Sequence, residues 1–294
     1  MKNTRLITTL VLLIAFFAVI AALAGIMPGE GGGEYEFKSI RDQMVTIYGK
    51  GLYRHMSSDV AIQGIAQDYV TLFLAVPFML FALYSTLKGS LRGRFMLAGV
   101  LNYVLLTYLF YMNMAMYNPM FLVYVALTGL SFFAFILTLL SFSTATLPAV
   151  FNNRIPVKFI GGFLIFNAVS IALLWLGVVV PPLIDNTIVP LSVEHYTTLN
   201  VQAFDLALFL PISFVSGLLL IKKNNFGYLM APVYLVFLSF LMTALIAKII
   251  AMALAGVNVV PAIIIIPCIA ITAIVCGVLM LKNINQIRFF PNKP

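Results

Sequence analysis

Apolar residues fill this chain in eight long stretches, at about 6–27, 69–87, 95–117, 120–142, 157–183, 201–221, 228–251 and 259–281, separated by short polar ones. Each is close to the roughly 20 apolar residues that carry a helix across a hydrocarbon core. The pattern predicts an all-α polytopic integral membrane protein, a bundle of about 8 transmembrane helices in a single domain over 1–294. Only the polar segment at about 28–67 exceeds a short connection. Its start, Pro28 to Glu34, holds four glycines and reads as flexible. Further on, Ser58 can cap a helix, and Asp59, Gln63, Gln67 and Thr71 recur every four residues as one polar stripe running into the second span.

Composition agrees with the pattern. The chain is 63% hydrophobic and 9% charged, where soluble domains carry about 25% charged residues. The net charge of +8 suggests nucleic acid only until it is placed along the chain. Lys2 and Arg5, then Lys88, Arg92 and Arg94, then Arg154 and Lys158, then Lys222 and Lys223, and finally Lys282, Arg288 and Lys293 fall at alternate connections. The acidic residues Glu30, Glu34, Glu36, Asp42, Asp59, Asp68, Asp185, Glu194 and Asp205 fall toward the opposite side. By the positive-inside rule both termini are cytoplasmic and 28–67 is external, in a prokaryotic plasma membrane. The partner this implies is the lipid bilayer, with no nucleic acid; oligomeric state stays open. The first run, ending Ala22-Leu23-Ala24, also resembles a signal peptide with its cleavage site. Its length favours a retained span.

The halves, at about 1–150 and 151–294, read as a parallel 4+4 repeat related by an axis along the membrane normal. His55, Ser57-Ser58, Gln63, Asp68, Pro77 and Lys88 recur in order as His195, Thr197-Thr198, Gln202, Asp205, Pro211 and Lys222, with gaps between Gln and Pro. Pro77 and Pro211 each remove a backbone donor within a span and predict paired helix kinks.

Asp68 and Asp205 are expected near the outer ends of spans two and six, where the helix dipole tolerates a carboxylate. Intramembrane carboxylates also mark pathways and paired sites. Lys248 is the basic residue inside a span, and it either snorkels outward or pairs with Asp205. The candidate binding cluster is Asp68, Asp205, Gln63, Gln67, Gln202, Lys248, His55 and His195. On the third span Asn102 and Asn113, with Tyr103, Thr107 and Tyr111, read as interhelical hydrogen-bonding positions. A retinal site at Lys248 lacks a carboxylate one turn earlier. Two separate loop histidines do not make a zinc motif or intramembrane haem ligands. No metal, cofactor or catalytic residue is assigned. Cys268 and Cys276, two helical turns apart, cannot bond each other.

Four stretches carry a resemblance to a family of multi-pass membrane proteins of bacteria and archaea without an established activity. They are Tyr48-Gly49-Lys50-Gly51-Leu52-Tyr53, Ala66-Gln67-Asp68-Tyr69-Val70-Thr71, Tyr117-Asn118-Pro119-Met120-Phe121-Leu122, and Val201-Gln202-Ala203-Phe204-Asp205-Leu206 followed by Pro211. The resemblance implies a membrane bundle and assigns no residue a role. The repeat, the prolines and the carboxylates favour handling of a small-molecule solute, as a transporter would. The alternatives are an outer-leaflet membrane enzyme and a non-catalytic sensory or assembly protein.

Overall fold

The computed structural model describes residues 3–185 and 189–285. Lys2, Arg288 and Lys293, which enter the charge pattern, lie outside the described residues. Among the described residues eight helices are long and apolar enough to span a membrane: α1 Thr4–Ile26, α2 Ser58–Leu87, α3 Leu91–Met114, α4 Phe121–Leu140, α5 Val157–Ile184, α6 Asn200–Ile221, α7 Asn225–Leu254 and α8 Ala262–Lys282. The chain is therefore a multi-pass helical membrane protein. Helix α2 departs most from the expected bounds. It begins at Ser58, so the polar stripe and the span are one continuous helix. Ser57 takes the N-cap position, and the Ser58 hydroxyl bonds the Glu34 carboxylate instead of capping.

Lipid is as apolar as a leucine side chain, so helix contact here depends on close packing and polar links. Helices α1, α2, α3 and α4 close into a ring, with α1 packed on both α2 and α4. In the second half α5 packs on α6, α6 on α7 and α7 on α8, without a comparable α5–α8 seam. Helix α7 is central and also packs on α2 and α3. Glycines let backbones approach at two seams. A Cβ on Gly99 of α3 would lie 2.4 Å from Val236 Cβ and 2.9 Å from the Val233 carbonyl of α7. Gly161 and Gly217 abut in the same way between α5 and α6.

Two helices share an unusual local geometry. Residues Thr71–Ala75 of α2 and Asp205–Phe209 of α6 each form a wide π turn. Val76 N–H donates to the Thr71 carbonyl and Leu210 N–H to the Asp205 carbonyl, five residues back. Pro77 and Pro211 follow immediately, where the missing N–H breaks the regular ladder. Both helices then end in tight turns. Gly89 and Lys223 are left-handed (φ 83° and 54°), and Ser90 and Asn224 cap the next helix. Every one of these pairs has the same offset of 134 residues (71 to 205, 77 to 211, 90 to 224).

The segment before α2 is not a free linker. Strands β1 Tyr35–Lys38 and β2 Met44–Ile47 form an antiparallel hairpin. The glycine run expected to be flexible lies against residues 49–51, with Gly51 N–H donating to Glu30 O. Gly49 is left-handed (φ 71°), and a Cβ there would meet the Gly33 carbonyl at 1.8 Å. Small residues serve close approach at this point. The hairpin clasps the 189–199 loop: Arg41 donates to the carbonyls of Glu194, Tyr196 and Thr197, and Gln43 to that of Leu191. At the opposite, basic end Arg92 donates to the carbonyls of Lys282 and Ile284, which tie the end of α8 to the start of α3. Cys268 and Cys276 are free thiols.

Candidate functional site

The N-terminal half of α2, just before its π turn, carries a carboxylate well inside the helix. Asp68 is fully buried. Its Oδ2 accepts from the Tyr53 hydroxyl at 2.6 Å and its Oδ1 from the Tyr111 hydroxyl at 3.0 Å. Tyr53 comes from the loop before α2, and Tyr111 from the end of α3. Tyr111 also lies 2.7 Å from the Gly64 carbonyl, so its single proton is shared between two acceptors. Burial, with Tyr111 and Asp68 nearby, pushes the Tyr53 phenol well above its ordinary value. Tyr53 therefore remains a donor at any physiological pH.

Aromatic rings and a bare helix backbone wall this carboxylate. Tyr111 packs edge-on against Tyr53, Tyr108 and Tyr124, at 6.0, 5.7 and 5.4 Å between centroids. The buried Tyr124 hydroxyl lies beside Tyr53 and Asn118 without a formed hydrogen bond. Gly25 of α1 completes the wall. A Cβ there would sit 1.9 Å from Asp68 Oδ2, so only glycine lets α1 pass at this height.

The polar stripe of α2 turns inward as it descends. Asp59 is exposed, Gln63 half-buried, and Gln67 and Thr71 buried. Gln67 Nε2 donates to the Tyr103 hydroxyl at 2.7 Å and to Thr107 Oγ1 at 3.0 Å. Tyr103 and Thr107 thus make the expected interhelical bonds, whereas Asn113 bonds its own helix at Leu109 O. Below this layer the seam is filled: Phe240 of α7 packs against Tyr103 at 5.5 Å and Phe78 at 4.9 Å.

Lys248, half-buried on α7, lies within electrostatic range of Asp68 but not within ion-pair distance. Asp205 has a different neighbour. It is half-buried and accepts from Trp175 Nε1 of α5 at 2.8 Å. The structure thus brings Asp68, Gln67 and Lys248 into one neighbourhood and gives Asp205 a separate one. The shared offset explains why. Asp205 stands where α2 has Thr71, and Gln202, half-buried, stands where α2 has Asp68. The gapped sequence match pairs the two carboxylates, whereas the π turns set Asp205 beside Thr71 in position. His55 and His195 belong to the hairpin clasp, with His195 Nε2 3.0 Å from the His55 carbonyl. Pro77 and Pro211 are exposed on the apolar surface.

Sequence reasoning missed Tyr53, Tyr111 as a carboxylate ligand, Gly25 and Trp175. Tyr53 sits within a quoted motif, Gly51-Leu52-Tyr53, and an aromatic close before a buried acid was the available signal. No family model, no curated protein and no solved structure matches this chain. The class the fold defines is the multi-pass helical membrane protein.

Proposed function

We propose that the protein is a solute carrier of a prokaryotic plasma membrane, with Asp68 as the carboxylate that binds solute or its coupling ion. The observation that carries this reading is a fully buried acid, held by two tyrosine hydroxyls, directly above a π turn and a proline. An intramembrane carboxylate is costly and marks ion and substrate paths, and π turns cluster at functional sites. The positive-inside pattern supports an external hairpin face and cytoplasmic termini. Tyr53 then closes the site from outside, as in an occluded state.

The same reading includes the 4+4 repeat. Its support is the constant offset through the π turns, prolines and caps of α2–α3 and α6–α7. Gly99 and Val233, equivalent by that offset, meet at the α3–α7 seam, as positions beside a two-fold axis do. The packed Phe78–Phe240–Tyr103 layer favours a second reading, a sensory or assembly protein without a through-path. The outer-leaflet enzyme draws no comparable support, because His195 Nε2 lies at the His55 carbonyl and the His55 ring accepts from its neighbour Arg54.

Proteoliposomes with a trapped pH-sensitive dye test the carrier. Amino acids, sugars, amines and organic acids are added outside in turn under an imposed potential. One class is expected to change lumenal pH faster than in protein-free vesicles. A folded, correctly inserted protein that moves protons with none of them overturns the carrier reading and favours the sensory one.

A further inference from the structure

Asp68 has no exposed surface, and even a methyl on Gly25 would lie 1.9 Å from its Oδ2 and 2.7 Å from the Tyr53 hydroxyl oxygen. We propose that the ion taken up at Asp68 is a proton and not a metal cation, and that the Tyr111 hydroxyl is the switch that lets the site hold the acid in either charge state. The inference rests on the carrier reading for the role of that ion, and it names the coupling ion which that reading leaves open.

Charge and space both select the proton. A buried carboxylate is costly unless its charge is offset or neutralised. Lys248 of α7 lies within electrostatic range, yet among the described residues no cation is within ion-pair distance of Asp68. The other titratable groups around it are phenols: Tyr53 of the loop, Tyr103, Tyr108 and Tyr111 of α3, and Tyr124 of α4. Helix α1 presents only Gly25 at this height. A hard metal cation gathers about six or more oxygens around a volume of its own. Here two hydroxyls already stand at the carboxylate oxygens, and the backbone of α1 closes the third side. Among the described residues no group of three or more His, Cys, Asp or Glu is placed to hold a metal ion. A proton needs a lone pair and no such volume.

The hydrogen bonds close in both charge states. With Asp68 ionised, Tyr53 donates to Oδ2 at 2.6 Å, and the Tyr111 proton is shared between Oδ1 at 3.0 Å and the Gly64 carbonyl at 2.7 Å. Proton uptake breaks an O–H bond of hydronium, releases water and forms an O–H bond on Oδ1, which turns the carboxylate into a neutral acid. Oδ1–H then donates to a lone pair of the Tyr111 oxygen. The Tyr111 proton passes wholly to the Gly64 carbonyl, the shorter of its two contacts. Tyr53 keeps Oδ2 as its acceptor throughout. Rotation of one hydroxyl therefore leaves each of these buried groups paired, where an unpaired one is costly. Tyr111 acts through Asp68 and is a positioning residue.

Infrared difference spectroscopy of the purified full-length protein in detergent tests this, recorded from alkaline to acidic buffer without solute. Expected is a protonated-carboxyl C=O band that Asp205→Asn retains and Asp68→Asn lacks. Tyr111→Phe should shift the frequency of that band, because the acid proton loses its acceptor. Tyr124→Phe, whose hydroxyl forms no bond to Asp68, should leave it in place. Exchange of potassium for sodium at constant ionic strength should not move the pH at which the band appears. Size-exclusion profiles check folding. If Asp68→Asn does not fold, carbon-13 aspartate in Asp205→Asn makes the assignment, since Asp42, Asp59 and Asp185 are exposed. Absence of an Asp68-dependent band in folded protein, a band unmoved by Tyr111→Phe, or loss of the band to sodium overturns the proposal. The carrier reading fails separately, when the band is present and no solute moves in proteoliposomes. Sodium displacing the proton in a protein that does carry solute sinks this inference alone.

Discussion

Helices α2 and α6 have the same backbone, a π turn closed on a proline, yet they treat their carboxylates in opposite ways. Asp68 is sealed among Tyr53, Tyr111 and Gly25, whereas Asp205 remains half-buried against Trp175. Enclosure makes the difference. The N-terminal half of α2 is flanked by α1, α3 and α7 and covered by the loop that bears Tyr53. The N-terminal half of α6 has α5, the edge of α3 and, at Phe209, Tyr234 and Phe237 of α7. Register adds to it, since Asp205 occupies the position of Thr71 and not that of Asp68. The same backbone turn therefore does not imply the same site, and α2, not α6, surrounds its carboxylate with hydroxyl donors.

The largest effect expected from breaking this asymmetry is on stability. Asp68→Leu leaves the Tyr53 hydroxyl without its acceptor, at about 1–3 kcal/mol, and overpacks a wall already tight against Gly25, at about 1–3 kcal/mol more, while Tyr111 keeps the Gly64 carbonyl. Asp205→Leu frees only the half-buried Trp175 N–H, with a loss of about 1 kcal/mol. Thermal melts in detergent should rank the variants in that order. Equal shifts would erase the contrast.

Gly25→Ala comes next. Its methyl would overlap Asp68 Oδ2 and force α1 outward, for about 1–3 kcal/mol of overpacking. Gly162→Ala on α5, where a Cβ meets nothing within 4 Å, is the control and should not lower the melt, alanine being the better helix former.

The smallest effect concerns the clasp. Burial raises the Tyr196 phenol to about 12, while unfolded tyrosine titrates near 10. Its neutral form is the one that folds, so its contribution is intact below pH 10 and is lost as pH rises toward about 12. Alkaline titration of wild type should open the 189–199 loop to protease in that window. Tyr196→Phe, which cannot ionise, should shift this sensitivity upward.

Much of this contrast was within reach of the sequence. The eight spans were legible because lipid demands unbroken apolar runs, and the inward face of Gln67 and Thr71 because a four-residue spacing keeps one helix face. The register was visible as well. Pro77 and Pro211, Lys88 and Lys222, and the caps Ser90 and Asn224 have one offset, and weighting backbone-determining residues over side-chain identity recovers it. The hairpin was not legible, since its four-residue strands, Tyr-Glu-Phe-Lys and Met-Val-Thr-Ile, lack a sustained alternating pattern. Nor was Tyr53, whose meeting with Asp68 depends on how a glycine-rich loop folds back over the bundle.

The central claim is that Asp68, and not Asp205, is the working carboxylate. The direct measurement is solute-driven lumenal pH change in proteoliposomes of wild type, Asp68→Asn and Asp205→Asn at equal insertion. The account predicts that Asp68→Asn falls to the protein-free rate while Asp205→Asn retains most of the activity. Full activity in Asp68→Asn, or its loss in Asp205→Asn alone, would contradict it.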